Sequence, residues 1–167
     1  VPTKALLHAA EVADTVRDAA AFGIQADLGG IDMDGVLKFK QGIIDGNYKG
    51  LSGLVKVAGI DTISGEGKLV SQDTVRVTTD DGVIDVKGAN IVLATGSTSK
   101  TLGIEIRDRV LTSTEALKFN RVPKSAIVLG GGVIGIEFAS IWSSFGADVT
   151  IVEGLPHLAA NEDEDIS

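Results

Sequence analysis

The stretch that most constrains this chain is residues 125–135, where Ser-Ala-Ile-Val-Leu runs into Gly130, Gly131, Gly132, Val133, Ile134 and Gly135. An apolar run ends in a G-x-G-x-x-G turn. A helical pattern follows over residues 133–145, and a second apolar run over 148–152 closes on Glu153. Strand, glycine turn, helix and strand in that order make the opening β-α-β of a doubly wound α/β domain. Gly130 permits the tight turn. Gly132 lets backbone approach a pyrophosphate, and Gly135 lets helix and strand pack closely. The free N–H groups and positive dipole end of the helix then face the phosphates. Glu153 stands eighteen residues after Gly135, placed to accept hydrogen bonds from ribose hydroxyls and to repel a 2′-phosphate. No Lys or Arg occurs in residues 154–167, so the pattern points to NAD rather than NADP. The plain alternatives are a glycine turn without a ligand and an ordinary surface acid.

Upstream, residues 3–20 read as a helix with Thr3 as N-cap and Leu6, Leu7, Ala10 and Ala13 on its apolar face. A loop at 22–30 precedes a second helix, capped by Asp32 or Asp34 and stopped by Gly59. Gly42, Gly46, Gly50 and Gly53 on that helix are read as close packing against a neighbour. Short β-type runs at 61–64, 68–70, 74–79 and 83–86, with turns at Asp73 and Asp80-Asp81-Gly82, predict an antiparallel meander. Residues 90–95, Asn-Ile-Val-Leu-Ala-Thr, predict a strand buried on both faces. A short helix at 113–117 and a linker at 118–124 complete the reading. The expected fold class is α/β: parts of two Rossmann-like domains, the first with an inserted antiparallel β-meander. The expected division is residues 1–120 and 121–167.

Composition narrows the chemistry. A net charge of −8 disfavours nucleic acid and anionic membrane surfaces. No apolar stretch is long enough to span a bilayer, and the expectation is a soluble, cytoplasmic protein. There is no cysteine, so no disulfide or thiol nucleophile lies within these residues. His8 and His157 are isolated from other ligand types and are read as structural, with no metal site. The acidic run of Glu162, Asp163, Glu164 and Asp165 is read as a solvated helix start.

Several segments, in order along the chain, resemble the pyridine-nucleotide disulfide oxidoreductases. They are VPTKALLHAAEV at 1–12, KGLSGLVKVAGID at 49–61, GEGKL at 65–69, IVLATGS at 91–97, STEAL at 113–117 and GGGVIGIEFASIWSSFGADVTIVE at 130–153. Within the family the chain is most similar to the branch that oxidises dihydrolipoyl groups. That resemblance implies a flavoprotein passing electrons from a dithiol through a disulfide and FAD to NAD. The implied electron donor is the lipoyl domain of a 2-oxo acid dehydrogenase complex or of the glycine cleavage system. It also implies a homodimer. FAD contacts are implied at Lys4, Gly67, Thr95, Gly96 and Ser97, and NAD contacts at Gly130, Gly131, Gly132, Val133, Ile134, Gly135, Ile136, Glu137 and Glu153.

The residues add a pair. Lys4 falls in the first turn of its helix, against the dipole. Glu137 has Val133, Ile134 and Ile141 at helical spacing, and a carboxylate among apolar neighbours needs a partner. An ion pair between them would settle both, and the resemblance implies that it lies beside the flavin. The departures from the family are the absence of both redox cysteines, of a second glycine fingerprint, and of a C-terminal domain with its His–Glu base. No Pro stands between Leu102 and Gly103. The expectation is an internal piece of a longer enzyme, itself inactive. The alternatives are another FAD/NAD(P) disulfide or metal-ion reductase, and a non-catalytic nucleotide-binding module.

Overall fold

The computed structural model describes residues 1–163, 165 and 167. By their contacts they form two compact units, Val1–Tyr48 with Ser99–Ser167, and Lys49–Thr98. This grouping differs from the expected division at residue 120 because the first helix packs on the helix of the glycine turn.

In the larger unit, helix α1 spans Pro2–Arg17. Val1, not Thr3, is its N-cap, and Pro2 opens it with the fixed φ and missing N–H that suit a first turn. A 3-10 turn at Ala19–Phe22 follows and ends on Gly23, whose φ is +76°. Helix α2, Met33–Val57, lies in this unit as far as Tyr48, its remainder belonging to the smaller one; it is capped by Asp32, whose carboxylate accepts the Gly35 N–H at 3.1 Å. Gly59 stops it at φ +66°. The four glycines of α2 have no close neighbour: a Cβ at Gly42, Gly46, Gly50 or Gly53 meets nothing within 4 Å among the described residues. The expected packing against them is not present.

A single turn, α3 at Ser113–Ala116, is held by a capping box in which Thr112 and Glu115 satisfy each other's backbone donors. Strand β4, Ser125–Leu129, pairs in parallel with β5, Asp148–Val152, and α4, Val133–Ser144, crosses between them. The core is the α1–α4 seam with α2: Leu6, Ala10, Met33, Phe138, Ile141, Trp142, Phe145 and Ala147. Trp142 meets Phe119 and Phe145 edge-on at centroid distances of 6.0 and 6.3 Å, a favoured aromatic geometry.

In the smaller unit, the strands Glu66–Leu69, Thr74–Thr79 and Gly82–Lys87, here β1, β2 and β3, form the expected antiparallel meander, with β2 central. Arg76 and Asp85 face each other across β2 and β3 in a two-pronged ion pair at 2.7 and 2.8 Å. The expected strand at 61–64 is irregular chain. So is the expected strand at 90–95, with Val92 and Leu93 exposed. A buried parallel strand exists only beside other strands, and among the described residues none pairs with this run. The acidic run does not start a helix over its described residues. Glu162 and Asp163 lie in irregular chain, and Glu164 falls outside the described residues.

Candidate dinucleotide site

The glycine turn of the larger unit is built as its spacing demands. Gly130 takes φ +103°, a conformation that side-chain-bearing residues rarely adopt, and its N–H reaches the Val152 carbonyl at 2.9 Å. Gly135 is fixed by contact: a Cβ there would lie 2.0 Å from the Gly130 oxygen and 3.2 Å from a Val128 methyl. Gly132 is the N-cap of α4, has no side-chain cap, and faces open space where a Cβ would stand. The first intrahelical bond of α4 runs from the Ile136 N–H to the Gly132 carbonyl at 3.0 Å. The N–H groups of Val133, Ile134 and Gly135 precede any carbonyl of the helix and point out of its end. Open space, uncapped donors and the helix dipole together fit a diphosphate.

Glu153 closes the site from the end of β5. One carboxylate oxygen accepts the Gly131 N–H at 2.6 Å. The other accepts those of Gly154 and Leu155 at 2.7 and 2.8 Å. The Gly131 bond is the largest cause, with that of Leu155 next, that holds this carboxyl below its ordinary range. A carboxylate offers about four acceptor positions, so three backbone donors leave room for a hydroxyl and fix a negative charge there. Gly131 is constrained too. Its carbonyl accepts the Ala159 N–H at 2.8 Å, and a Cβ would come within 2.4 Å of Leu158.

Lys4 and Glu137 are brought together as an ion pair between α1 and α4. The pair is less buried than the sequence suggests: the Glu137 side chain is 18% exposed and that of Lys4 74%. Of the apolar neighbours expected around Glu137, Ile141 is fully buried while Val133 and Ile134 are exposed. Ile136 sits on the same helix.

Of the residues expected to meet flavin, Lys4 belongs to the larger unit. Gly67, Thr95, Gly96 and Ser97 belong to the smaller unit. Gly67 lies inside β1, opposite Val77, not in a turn. A Cβ there would make ordinary contact with Val75, and one at Gly96 would meet nothing within 4 Å. A flavin role for these four residues rests on the resemblance. His8 stands 3.3 Å from Glu11, and His157 2.7 Å from Ser167. Among the described residues no cluster of three potential ligands could hold a metal.

Sequence reasoning passed over two contacts. Lys40 is buried in the larger unit and donates to the Leu117 carbonyl at 2.5 Å; burial, and then Lys118, lowers its pKa. Its place on the apolar side of α2, seven residues after Met33, was the available signal. Ser144 donates to Asp14 at 2.6 Å across the α1–α4 seam, a contact between residues 130 positions apart that no local pattern announces.

The family model for pyridine nucleotide-disulphide oxidoreductases matches residues 1–167. The chain belongs to that family. Among curated proteins it is similar to a dihydrolipoyl dehydrogenase of Chlamydia pneumoniae, 37% identical over 168 residues, covering 100% of this chain and 36% of the relative. The dihydrolipoyl dehydrogenase of Chlorobaculum tepidum is 38% identical over 170 residues, with the same coverage. Among solved structures it is similar to a Cu(II) complex of a mutant of the HOCl-induced flavoprotein disulfide reductase RclA from Escherichia coli. That match has a TM-score of 0.77 and 27% identity, covering 99% of this chain and 34% of the other. The chain thus spans little more than a third of the length of the relatives it matches.

Proposed function

We propose that this chain is part of an NAD-linked flavoprotein that reoxidises dihydrolipoyl groups, a dihydrolipoyl dehydrogenase. The similarity to dihydrolipoyl dehydrogenases along the whole chain supports the activity. The choice of NAD rests on one observation: an ionised Glu153 locked against the N–H of Gly131 at the mouth of the glycine turn. In this reading Gly130, Gly131, Gly132, Val133, Ile134, Gly135 and Ile136 hold the diphosphate by backbone and helix end. Glu153 accepts from the adenosine ribose and excludes a 2′-phosphate. Lys4 and Glu137 form a charge pair on the flavin side. Gly67, Thr95, Gly96 and Ser97 contact FAD, which with a disulfide supplies the electron relay. The donor is a lipoyl domain, and the protein works as a cytoplasmic homodimer.

The test is steady-state kinetics of the intact, flavin-loaded protein with dihydrolipoamide and either NAD or NADP. NAD should win in kcat/KM by at least about tenfold, roughly what one lost charged contact costs. Glu153→Ala, with a basic residue added nearby, should move the preference toward NADP. Equal use of both cofactors by the unmodified protein would defeat the assignment. A second reading keeps the family and changes the electron acceptor to another disulfide or a metal ion. The likeness to a flavoprotein disulfide reductase favours it, and inactivity with dihydrolipoamide alongside NADH-driven disulfide reduction would select it.

A further inference from the structure

Two polar ties join α1 to α4, one at each end of their shared apolar seam. At the N-terminal ends Lys4 pairs with Glu137. Toward the C-terminal ends the Ser144 hydroxyl donates to one Asp14 oxygen at 2.6 Å, while Arg17 holds the other at 2.6 Å. Between the ties lie Leu6, Ala10 and Ala13 of α1 and Phe138, Ile141 and Trp142 of α4, all buried. The two helices therefore run in the same sense. The start of α4 carries the glycine turn, and the start of α1 carries Lys4.

We propose that Asp14 and Ser144 are positioning residues that fix the tilt of α4 on α1, and through it the place of the glycine turn relative to Lys4. The inference rests on the reading of the turn as the NAD site. Its physical basis is leverage. Ile141 is fully buried and is the natural pivot of α4. Val133 stands eight residues away, about 12 Å at 1.5 Å per residue, so a tilt of about 5° moves the turn by about 1 Å. A displacement of about 1 Å from a productive geometry can cost on the order of a hundredfold in rate. The apolar seam resists separation and large tilts through its interlocking side chains, but it carries no directional bond to select one tilt finely. A hydroxyl-to-carboxylate bond is directional and charge-assisted. Lys4 is largely exposed and cannot hold α4 alone. Arg17, one turn along α1, keeps the Asp14 carboxylate turned toward its partner.

The experiment measures flavin reduction by NADH in the intact, flavin-loaded protein by stopped flow, for the unmodified protein, Ser144→Ala, Asp14→Ala and Ser144→Thr. Both alanine variants should lower the rate at saturating NADH fivefold or more. The NADH concentration at half-saturation should change less than twofold. Ser144→Thr, which keeps the hydroxyl, should stay within twofold of the unmodified rate. A role confined to stability would lower Tm and leave the saturated rate alone. Alanine variants within twofold of the unmodified rate overturn the proposal, as does a Ser144→Thr variant as slow as Ser144→Ala. Should the alanine variants fail to fold, Ser144→Cys, whose thiol is a weak donor, takes their place under the same thresholds. If NADH does not reduce the flavin of the unmodified protein at all, the functional reading falls first and the positioning role with it.

Discussion

Two apolar runs in this chain lead into a positive-φ glycine, Gly130 and Gly96, and they fare differently. Residues 125–129 form β4, paired along its length with β5 and backed by α4. Residues 90–95, which carry the same four apolar residue types and are followed by Gly96, form no strand, and Val92 and Leu93 are 86% and 70% exposed. A strand's backbone groups are satisfied by neighbouring strands, not by the strand itself. The first run carries its partner 23 residues downstream within the same β-α-β unit. The second has no partner among the described residues. Apolar content states that a segment is to be buried; a neighbour decides whether it is.

Core truncation should give the widest gap between the two regions. Ile141→Ala, on the buried face of the helix that follows the glycine turn, removes a fully buried side chain and should cost about 3–4 kcal/mol. Leu93→Ala in the 167-residue chain should cost less than about 0.5 kcal/mol. Urea unfolding of both variants measures this, and a loss above about 2 kcal/mol for Leu93→Ala would break the comparison.

Glycine replacement should sharpen it. Gly135→Ala drives a methyl into the Gly130 carbonyl and should cost about 2–3 kcal/mol. It should also abolish NAD binding. Gly67→Ala, inside β1, has room and should stabilise by about 0.5 kcal/mol. Calorimetry checks both signs. If Gly67→Ala also weakens flavin retention in the intact protein, Gly67 contacts FAD there as proposed.

A smaller effect is expected at the Lys4–Glu137 pair. Both charges buried would imply a loss of about 3–5 kcal/mol on removing one. With Lys4 largely exposed, Lys4→Met should cost no more than about 1 kcal/mol. Flavin reduction in the intact protein should slow even so. A stability loss of several kcal/mol would mean that the pair is closed over in the longer protein.

The smallest effect concerns acid. Glu153 titrates below its ordinary value of 4.5 in the folded chain, chiefly through the Gly131 N–H. Its folded value lies under the unfolded one, so its contribution is complete above about pH 4.5. That contribution is lost as pH falls through the folded value. Carbon-13 NMR titration of the Glu153 carboxyl should show the depression, and Glu153→Gln should flatten that part of the stability curve. An unshifted titration would remove the Gly131 contact.

The sequence by itself determined what is periodic or local. It set the bounds of β4 and β5, the glycine turn with its positive-φ Gly130 and crowded Gly135, the meander and the stop at Gly59. Each follows from alternation, helical spacing or backbone geometry within a few residues. The Lys4–Glu137 pair was legible as two charges in unfavourable places, because a conflict in one helix implies a partner in another. Only the tertiary structure decided how deep that pair lies, that residues 90–95 form no strand, and that the glycines of α2 meet no neighbour. It alone brought Lys40 to Leu117 and Ser144 to Asp14. Burial and long-range pairing depend on which surfaces meet across 77 to 130 residues of chain, and a linear pattern carries no record of that.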